Sequence, residues 1–283
     1  MKRVRDLLLI LGVYIIAFVG GYFSAFWINN LYLMILMWDV VATVITFIFS
    51  LIFRNSSVYD PYWSVAPMVF SFYLFFRIGN FTLANTLFLA CINIWGARLT
   101  INWITTFHDF TYQDWRYVMY KENNGPLLYF IINFFGIHMF PTLLVYAGMM
   151  PMIPLFMAEN NLLIIIGCLI ILLGVSLEFF ADQQMHQFLR TTKEKVTCRN
   201  GLWRYSRHPN YLGEITIWVG VYVSMIAVNQ DRWYFLGFIL MILLFEFISI
   251  PMMEKRQLQR RSDYIDYIKT TSRLLILPNR KSK

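Results

Sequence analysis

The chain reads as an all-α protein, a polytopic bundle of about eight transmembrane helices with both termini in the cytoplasm. Three observations predict it. Of its 283 residues, 58% are hydrophobic and 18% aromatic, while only 14% are charged; a soluble domain holds about 45–50% apolar and about 25% charged residues. Apolar runs recur at close to the roughly 20 residues that a bilayer-spanning helix needs. The lysines and arginines favour alternate loops. Strands of alternating polar and apolar residues, as a β-barrel requires, are absent.

The runs justify the helices in order. Leu7–Ile28 follows Lys2, Arg3 and Arg5. It is longer than a signal-peptide core and the next run starts within a few residues, so it is read as a span and not a cleaved leader. Leu31–Phe53, Tyr62–Phe76, Phe81–Trp103, Leu127–Met150, Leu162–Phe180, Tyr211–Val228 and Trp233–Met252 follow. The third is short and the fourth carries Arg98. With eight spans both termini share one side, and that side holds every lysine and arginine except Arg77, Arg98 and Arg232. Such an asymmetry marks the cytoplasmic face.

The net charge of +8 is therefore a topological signal, with some attraction to anionic lipid headgroups, and calls for no nucleic acid. Cys91, Cys168 and Cys198 give no disulfide framework. Together with His108, His138, His186 and His208 they show no metal-ligand spacing, so no metal is expected. No repeat or linker breaks the chain. Residues 1–283 read as one membrane domain with a cytoplasmic cap of loops and tail.

GLWRYSRHPNYLGE, Gly201 to Glu214, is the densest chemistry in the chain. Pro209 suits the first position of a helix, where its missing N–H has no partner to lose. The free N–H groups of that turn and the helix dipole favour an anion. Arg204, Arg207 and His208 beside them suggest a phosphorylated ligand. Asn210 and Glu214, four apart on one face, suit sugar hydroxyls or an amide. The plainer reading is a basic loop that only sets topology.

Charges inside spans cost roughly 2.5–3.5 kcal/mol each on insertion scales and normally face the bundle interior. Asp39, Arg98, Glu178 and Glu246 are such residues, with Asp60, Asp182 and Glu214 near cytoplasmic ends. Glu178, Asp182 and His186 share a helix face that leads into the basic loop; they suit ribose hydroxyls, or neutralise arginines. In SVYDPYWSVAP, Ser57 to Pro67, Pro61 should open a helix with Asp60 as its N-cap, among Tyr59, Tyr62 and Trp63. WGARLTINW, Trp95 to Trp103, holds Arg98, for which Asp39, Asp60 and Glu178 are candidate partners. Past the last span, Glu254 and Arg256 precede Tyr264, Tyr267 and Ile268 at helical spacing, with Leu274–Leu277 as an apolar hook. This tail either closes a nucleotide pocket from below or lies on lipid.

These strings resemble the steroid 5α-reductase-related membrane proteins, most closely a bacterial branch known only as a domain of unknown function. The resemblance covers roughly Asp39 to Pro278. RHPNYLGE is shared with sterol C=C reductases and with isoprenylcysteine and phospholipid methyltransferases; YDPYWSVAP favours the reductase-like branch. The resemblance implies NADPH held by the C-terminal spans (127–283) from the cytoplasmic side of a bacterial inner membrane. It also implies an apolar enone lipid entering the N-terminal spans (1–126) from the bilayer. Asp182, Asn210 and Glu214 match polar cofactor contacts of the reductases, and Arg207, His208 and Tyr211 match the pocket of the sterol-reductase branch. Arg190 falls one position from a cofactor-binding arginine. Arg204, Glu254 and Arg256 complete the implied pocket. Asp60 matches the acid that grips the substrate carbonyl with a tyrosine, whose position here is Trp95; indole donates a hydrogen bond but is no practical proton source.

The expected reaction is hydride transfer to the β-carbon of the enone while a protonated Asp60 stabilises the carbonyl oxygen. Arg204, Arg207 and a loop lysine would take the phosphates. A methyltransferase using S-adenosylmethionine is the alternative; its cofactor has no phosphates and leaves those cations without purpose. A transporter or lipid-binding protein would place polar groups near the midplane in repeated halves, whereas here they crowd one face.

Overall fold

The computed structural model describes residues 2–226, 228 and 234–279. Arg232, Trp233, Arg280, Lys281 and Lys283, all part of the charge and span expectations, lie outside the described residues. Among the described residues each of the eight apolar runs falls mainly on helical structure, and the sole β feature is an isolated bridge between Ser206 and Ser272. Six helical stretches are long and apolar enough to cross a membrane: Lys2–Ala25, Leu31–Ile52, Leu83–Thr106, Pro126–Met157, Leu162–Thr191 and Phe235–Arg260. The chain is an integral membrane protein. Exposed Phe23, Phe76, Leu127 and Phe247 are side chains that only an apolar surrounding accommodates at low cost. The other two runs form Tyr62–Ile78, 17 residues with Pro67 inside, and Pro209–Ile226, 18 residues.

The chain divides into two compact units, Met1–Glu159 and Asn160–Lys283. The first holds α1 (Lys2–Ala25), α2 (Leu31–Ile52), α3 (Tyr62–Ile78), α4 (Leu83–Thr106), α5 (Trp115–Asn123), α6 (Pro126–Ile131), α7 (Phe140–Met149) and α8 (Met152–Met157). A π-wound stretch, Ile132–Met139, joins α6 to α7. Local sequence punctuates these helices. Asn30 accepts from the N–H groups of Tyr32 and Leu33 to start α2, Thr82 caps α4, and Gly79 ends α3 in the left-handed region. One expectation fails. Pro61, not Asp60, occupies the N-cap position of α3 and no side chain caps that helix, so Asp60 is free for other work.

The second unit holds α9 (Leu162–Thr191), α10 (Pro209–Ile226), α11 (Phe235–Leu243), α12 (Ile250–Arg260) and α13 (Tyr264–Thr270), with a π turn, Leu244–Ser249, between α11 and α12. α9 and α10 form its core. Gly167 and Gly174 on one, and Gly213 and Gly220 on the other, are seven residues apart and meet pairwise. A Cβ on Gly174 would lie 2.6 Å from the Gly213 carbonyl oxygen, so the backbones touch as small-residue membrane helices do. Closeness here sets the site: it brings Asp182 of α9 and the first turn of α10 to one cavity. Gly174→Val should separate the helices and cost about 3 kcal/mol. Thermal unfolding in detergent checks this; an unchanged melting temperature would contradict the close contact.

The segment from Thr192 to His208 folds back on the end of α9. Gly201 takes φ +56°, a left-handed turn that puts its Cα against the Gln184 side chain, where a Cβ would clash. Leu202 N–H donates to Gln184 Oε1 at 2.8 Å and Trp203 Nε1 to the Ala181 carbonyl at 2.9 Å. Cys198, Trp203 and Ala181 form a small core under this turn, joined by Met185, Phe188 and Leu202.

Candidate functional site

The tail completes the second unit by main-chain pairing more than by the expected apolar hook. Arg207 N–H donates to the Ser272 carbonyl at 2.9 Å, Ser206 Oγ to Leu274 O at 2.6 Å, and Leu277 N–H to Tyr205 O at 3.3 Å. Tyr267 Oη donates to the carbonyls of Trp203 and Ser206. Asp263 accepts from Thr197 N–H and Oγ1, and these bonds hold its carboxyl below the usual range against the opposing effect of burial. Leu275 and Leu277 themselves stay exposed. The tail thus lies on the RYSRHPN segment, and the space between them is a cavity.

That cavity, of about 350 Å³, is lined by residues that include Asp182, Arg207, His208, Asn210 and Tyr211, and from the end of α12 onward Gln257, Arg260, Arg261 and Tyr264. His208 stacks on Tyr211, ring centroids 5.4 Å apart and 6° from parallel, and its Nε2 lies 3.1 Å from Glu254 Oε1. Burial pushes the His208 imidazole below its ordinary value, so at neutral pH the ring is uncharged and Nε2–H donates to Glu254. Asn210 Oδ1 is buried without a hydrogen-bond partner. A buried amide oxygen left unpaired costs free energy, so a donor from a ligand would be favoured there.

Arg207 does something other than expected. Its Nε donates to Glu254 Oε1 at 2.8 Å, and Nη1 to the carbonyls of Ile268 and Thr271 at 2.8 and 3.2 Å. With 8% exposure it is a clamp between the RHPN turn, α12 and the tail. Arg260 and Arg261, which the motif at Gly201–Glu214 does not include, line the cavity beside it. Their signal was spacing: Gln257 and Arg260, three apart on α12, face the same side as Met253.

The remaining candidates distribute as follows. Glu254 holds Arg207 and His208 in place from behind the wall. Glu214, 2% exposed, accepts from Trp218 Nε1 at 2.9 Å within α10 and is not part of the cavity lining. Arg190 and Arg204 are exposed, the latter over the Tyr205 ring at 5.7 Å, and neither lines the cavity; nor does Arg256.

Asp60, in the first unit, has a partner that sequence did not offer. Tyr117 Oη, from α5, donates to Asp60 Oδ1 at 2.6 Å. Asn55 ties the two segments together, donating to the carbonyls of Phe110 and Tyr112, and Ser57 Oγ accepts from Asp114 N–H at 2.9 Å. Burial raises the Asp60 carboxyl to about 6, with Arg116 and the Tyr117 bond pulling the other way. Trp95 is fully buried and meets Trp63 edge-on at 6.4 Å. An acid–tyrosine pair is therefore present, with its hydroxyl drawn from another helix than the one that carries Trp95.

A family model described as "Protein of unknown function (DUF1295)" matches residues 46–271. The chain belongs to this family. The match takes in the YDPYWSVAP segment, the acid–tyrosine pair and the cavity of the second unit. An uncharacterized protein of Schizosaccharomyces pombe is 26% identical over 197 residues, 60% of this chain and 57% of the yeast protein. The DUF1295 chain thus spans just over half the length of that curated relative. No solved structure matches it.

Proposed function

We propose that this DUF1295 protein is an NADPH-dependent reductase of a C=C bond conjugated to a carbonyl in an apolar lipid, within the steroid 5α-reductase-related superfamily. In this reading eight helices span the membrane, both termini are cytoplasmic, and the cavity of the second unit opens to the cytoplasm. The polar wall of that cavity carries the proposal. Asn210 offers an unpaired buried acceptor to the amino or carboxamide N–H of a dinucleotide, and Asp182 offers acceptors to ribose hydroxyls. Arg260 and Arg261 supply charge for phosphates, Arg207 being occupied as a clamp. Bound there, the dinucleotide would supply a hydride.

The chain's own part is to hold a proton where negative charge develops. Tyr117 and Ser57 orient the Asp60 carboxyl, which would carry a proton and donate it to a carbonyl oxygen. At a value of about 6, Asp60 can release that proton near neutral pH, as a general acid must. The substrate gains one hydride and one proton. Methyl transfer from S-adenosylmethionine fits the cavity less well, since that cofactor has no phosphate to meet Arg260 and Arg261.

Asn210→Ala should leave the unliganded protein as stable as the parent, because an unpaired buried acceptor is removed and nothing is orphaned. It should weaken NADPH binding at least about tenfold, the loss of one hydrogen bond in a dry site. Titration followed by NADPH fluorescence measures this. Equal affinity in parent and variant would remove Asn210 from the pocket and the main support for a dinucleotide there.

A further inference from the structure

Past α13 the chain makes a turn, Ser272 to Leu277, that is fastened at both ends to one short stretch. The Ser272 carbonyl accepts from Arg207 N–H and the Leu274 carbonyl from Ser206 Oγ, while Leu277 N–H donates to the Tyr205 carbonyl. Leu275, Ile276 and Leu277 are nevertheless 56%, 39% and 46% exposed. Three consecutive large apolar side chains left outside mark a surface that meets something apolar. Arg273, inside the same turn, fixes its depth.

Arg273 reaches Glu246, in the π turn between α11 and α12. Its Nη1 lies 3.1 Å from Glu246 Oε2, and Nη2 donates to the Glu246 carbonyl at 2.8 Å. That carbonyl has lost its helical donors. Ile250 N–H bonds to the Phe245 carbonyl instead, and Pro251, next in line, has no N–H. Inside a membrane span such a carbonyl must find a partner within the protein, and so must the Glu246 carboxyl. Arg273 serves both. Phe247, next to Glu246, is 73% exposed, so this is the lipid-facing belt of the span. Glu246 lies eight residues before Glu254, the next charged residue, about 12 Å along the helix at 1.5 Å per residue. An arginine side chain is shorter than that, so the backbone of the turn lies below the level of Glu254. At the other end, Tyr205 is 39% exposed beneath the Arg204 guanidinium, 5.7 Å from its ring. Tyrosine with a snorkelling arginine is the usual composition of the headgroup layer.

We propose that the Ser272–Leu277 turn is a membrane anchor. Leu275, Ile276 and Leu277 sit among the acyl chains of the leaflet from which α12 emerges, and Arg273 holds them at that depth through Glu246. The patch continues the lipid-facing belt at Phe247, so its occupant is the bilayer and not a soluble partner. The carbonyls of Ser272 and Leu274 and the N–H of Leu277 are bonded, and Pro278 has no N–H to satisfy. Irregular backbone at this depth requires such pairing. The turn is joined through Tyr205, Ser206 and Arg207 to His208 and Asn210, so the bilayer helps to hold one wall of the cavity in place. None of this draws on the reductase reading, which could fail and leave the anchor standing.

Spin-label accessibility in the full chain, reconstituted in vesicles of phosphatidylcholine and phosphatidylglycerol, tests the anchor without any ligand. Labels are placed by Ile276→Cys, by Phe247→Cys as the lipid reference, and by Lys269→Cys, 69% exposed, as the water reference. The parent, whose Cys91, Cys168 and Cys198 are buried, is the labelling blank. The expected result is a ratio of oxygen to nickel-chelate accessibility at Ile276 close to that at Phe247 and several-fold above that at Lys269. Glu246→Gln combined with Arg273→Gln removes the ion pair without leaving a lone charge in the membrane, and should move the Ile276 label toward the water value. A label at Ile276 with the ratio found at Lys269 would overturn the proposal. So would a label closed to both relaxants, as beneath a protein partner or a second copy, or a lipid signature that persists in the double variant.

Discussion

Arg207→Ala should be the most damaging single substitution in the second unit, at a cost of about 3–5 kcal/mol, the usual range for breaking a buried ion pair. The guanidinium is 8% exposed and satisfies Glu254, Ile268 O and Thr271 O together. Its removal leaves the partly buried Glu254 carboxylate with the His208 Nε2–H as donor, takes the guanidinium from the Ile268 and Thr271 carbonyls, and loosens the tail from the RHPN turn. Lysine rescues little, because one ammonium cannot reach three acceptors on separate elements in a fixed fork. The check is thermal unfolding of the unliganded variant. A melting temperature equal to the parent's, with only ligand binding lost, would return Arg207 to the role of phosphate contact that its place in the motif suggests.

Asp60→Asn should lower the rate of reduction by about 10²–10⁴, the range that one general acid contributes, and leave NADPH affinity unchanged. The readout is oxidation of NADPH in the presence of apolar enones. Full activity would leave Asp60 a structural residue of the loop. Tyr117→Phe distinguishes the pair from a lone acid. Tyr117 donates to Asp60 and so favours its ionised form; without it the carboxyl value rises from about 6, and the fall of activity with rising pH moves to higher pH. The linkage to stability has a definite sign. An acid whose folded value lies above its unfolded one stabilises fully at pH below the unfolded value, and this contribution is lost as pH rises through about 6. Asp60→Asn, which cannot ionise, should therefore flatten the decline in melting temperature between acid and neutral pH.

Helices were legible in the sequence because membrane segments advertise themselves by composition. Among the described residues the apolar runs from Leu7 to Met252 lie mainly on helical structure. Caps such as Asn30, Thr82 and the Pro209 start are local events within three residues of their cause. The cavity was half legible. Asp182, His208, Asn210 and Tyr211 were singled out by type and spacing and line one space. What the sequence could not give was allocation. Arg207 and Arg261 have the same charge and both line the cavity, and only the fold says that Arg207 is held there by Glu254 and two carbonyls.

Two further misses have the same origin. Asp60 looks like an N-cap because aspartate before proline often is one; Tyr117, 57 residues away, claims its oxygen instead. Long-range pairing of this kind leaves no periodicity to read. Trp95 stands where the resembled family has a tyrosine, and Tyr117, whose hydroxyl donates to Asp60, lies on α5, a segment with no motif of its own. Glu214, a motif residue at a plausible spacing, accepts from Trp218 within α10 and does not line the cavity.

The central claim is that the second unit binds a phosphorylated dinucleotide. The most direct measurement is the thermal shift of the detergent-purified chain with NADPH, NADH and S-adenosylmethionine side by side. A ligand that binds only the folded state stabilises it by about 2.7 kcal/mol at one hundred times its dissociation constant, whatever the substrate. The expected result is a rise in melting temperature with NADPH, a smaller one with NADH and none with S-adenosylmethionine. A rise with S-adenosylmethionine alone, or no rise with any of the three, would contradict it.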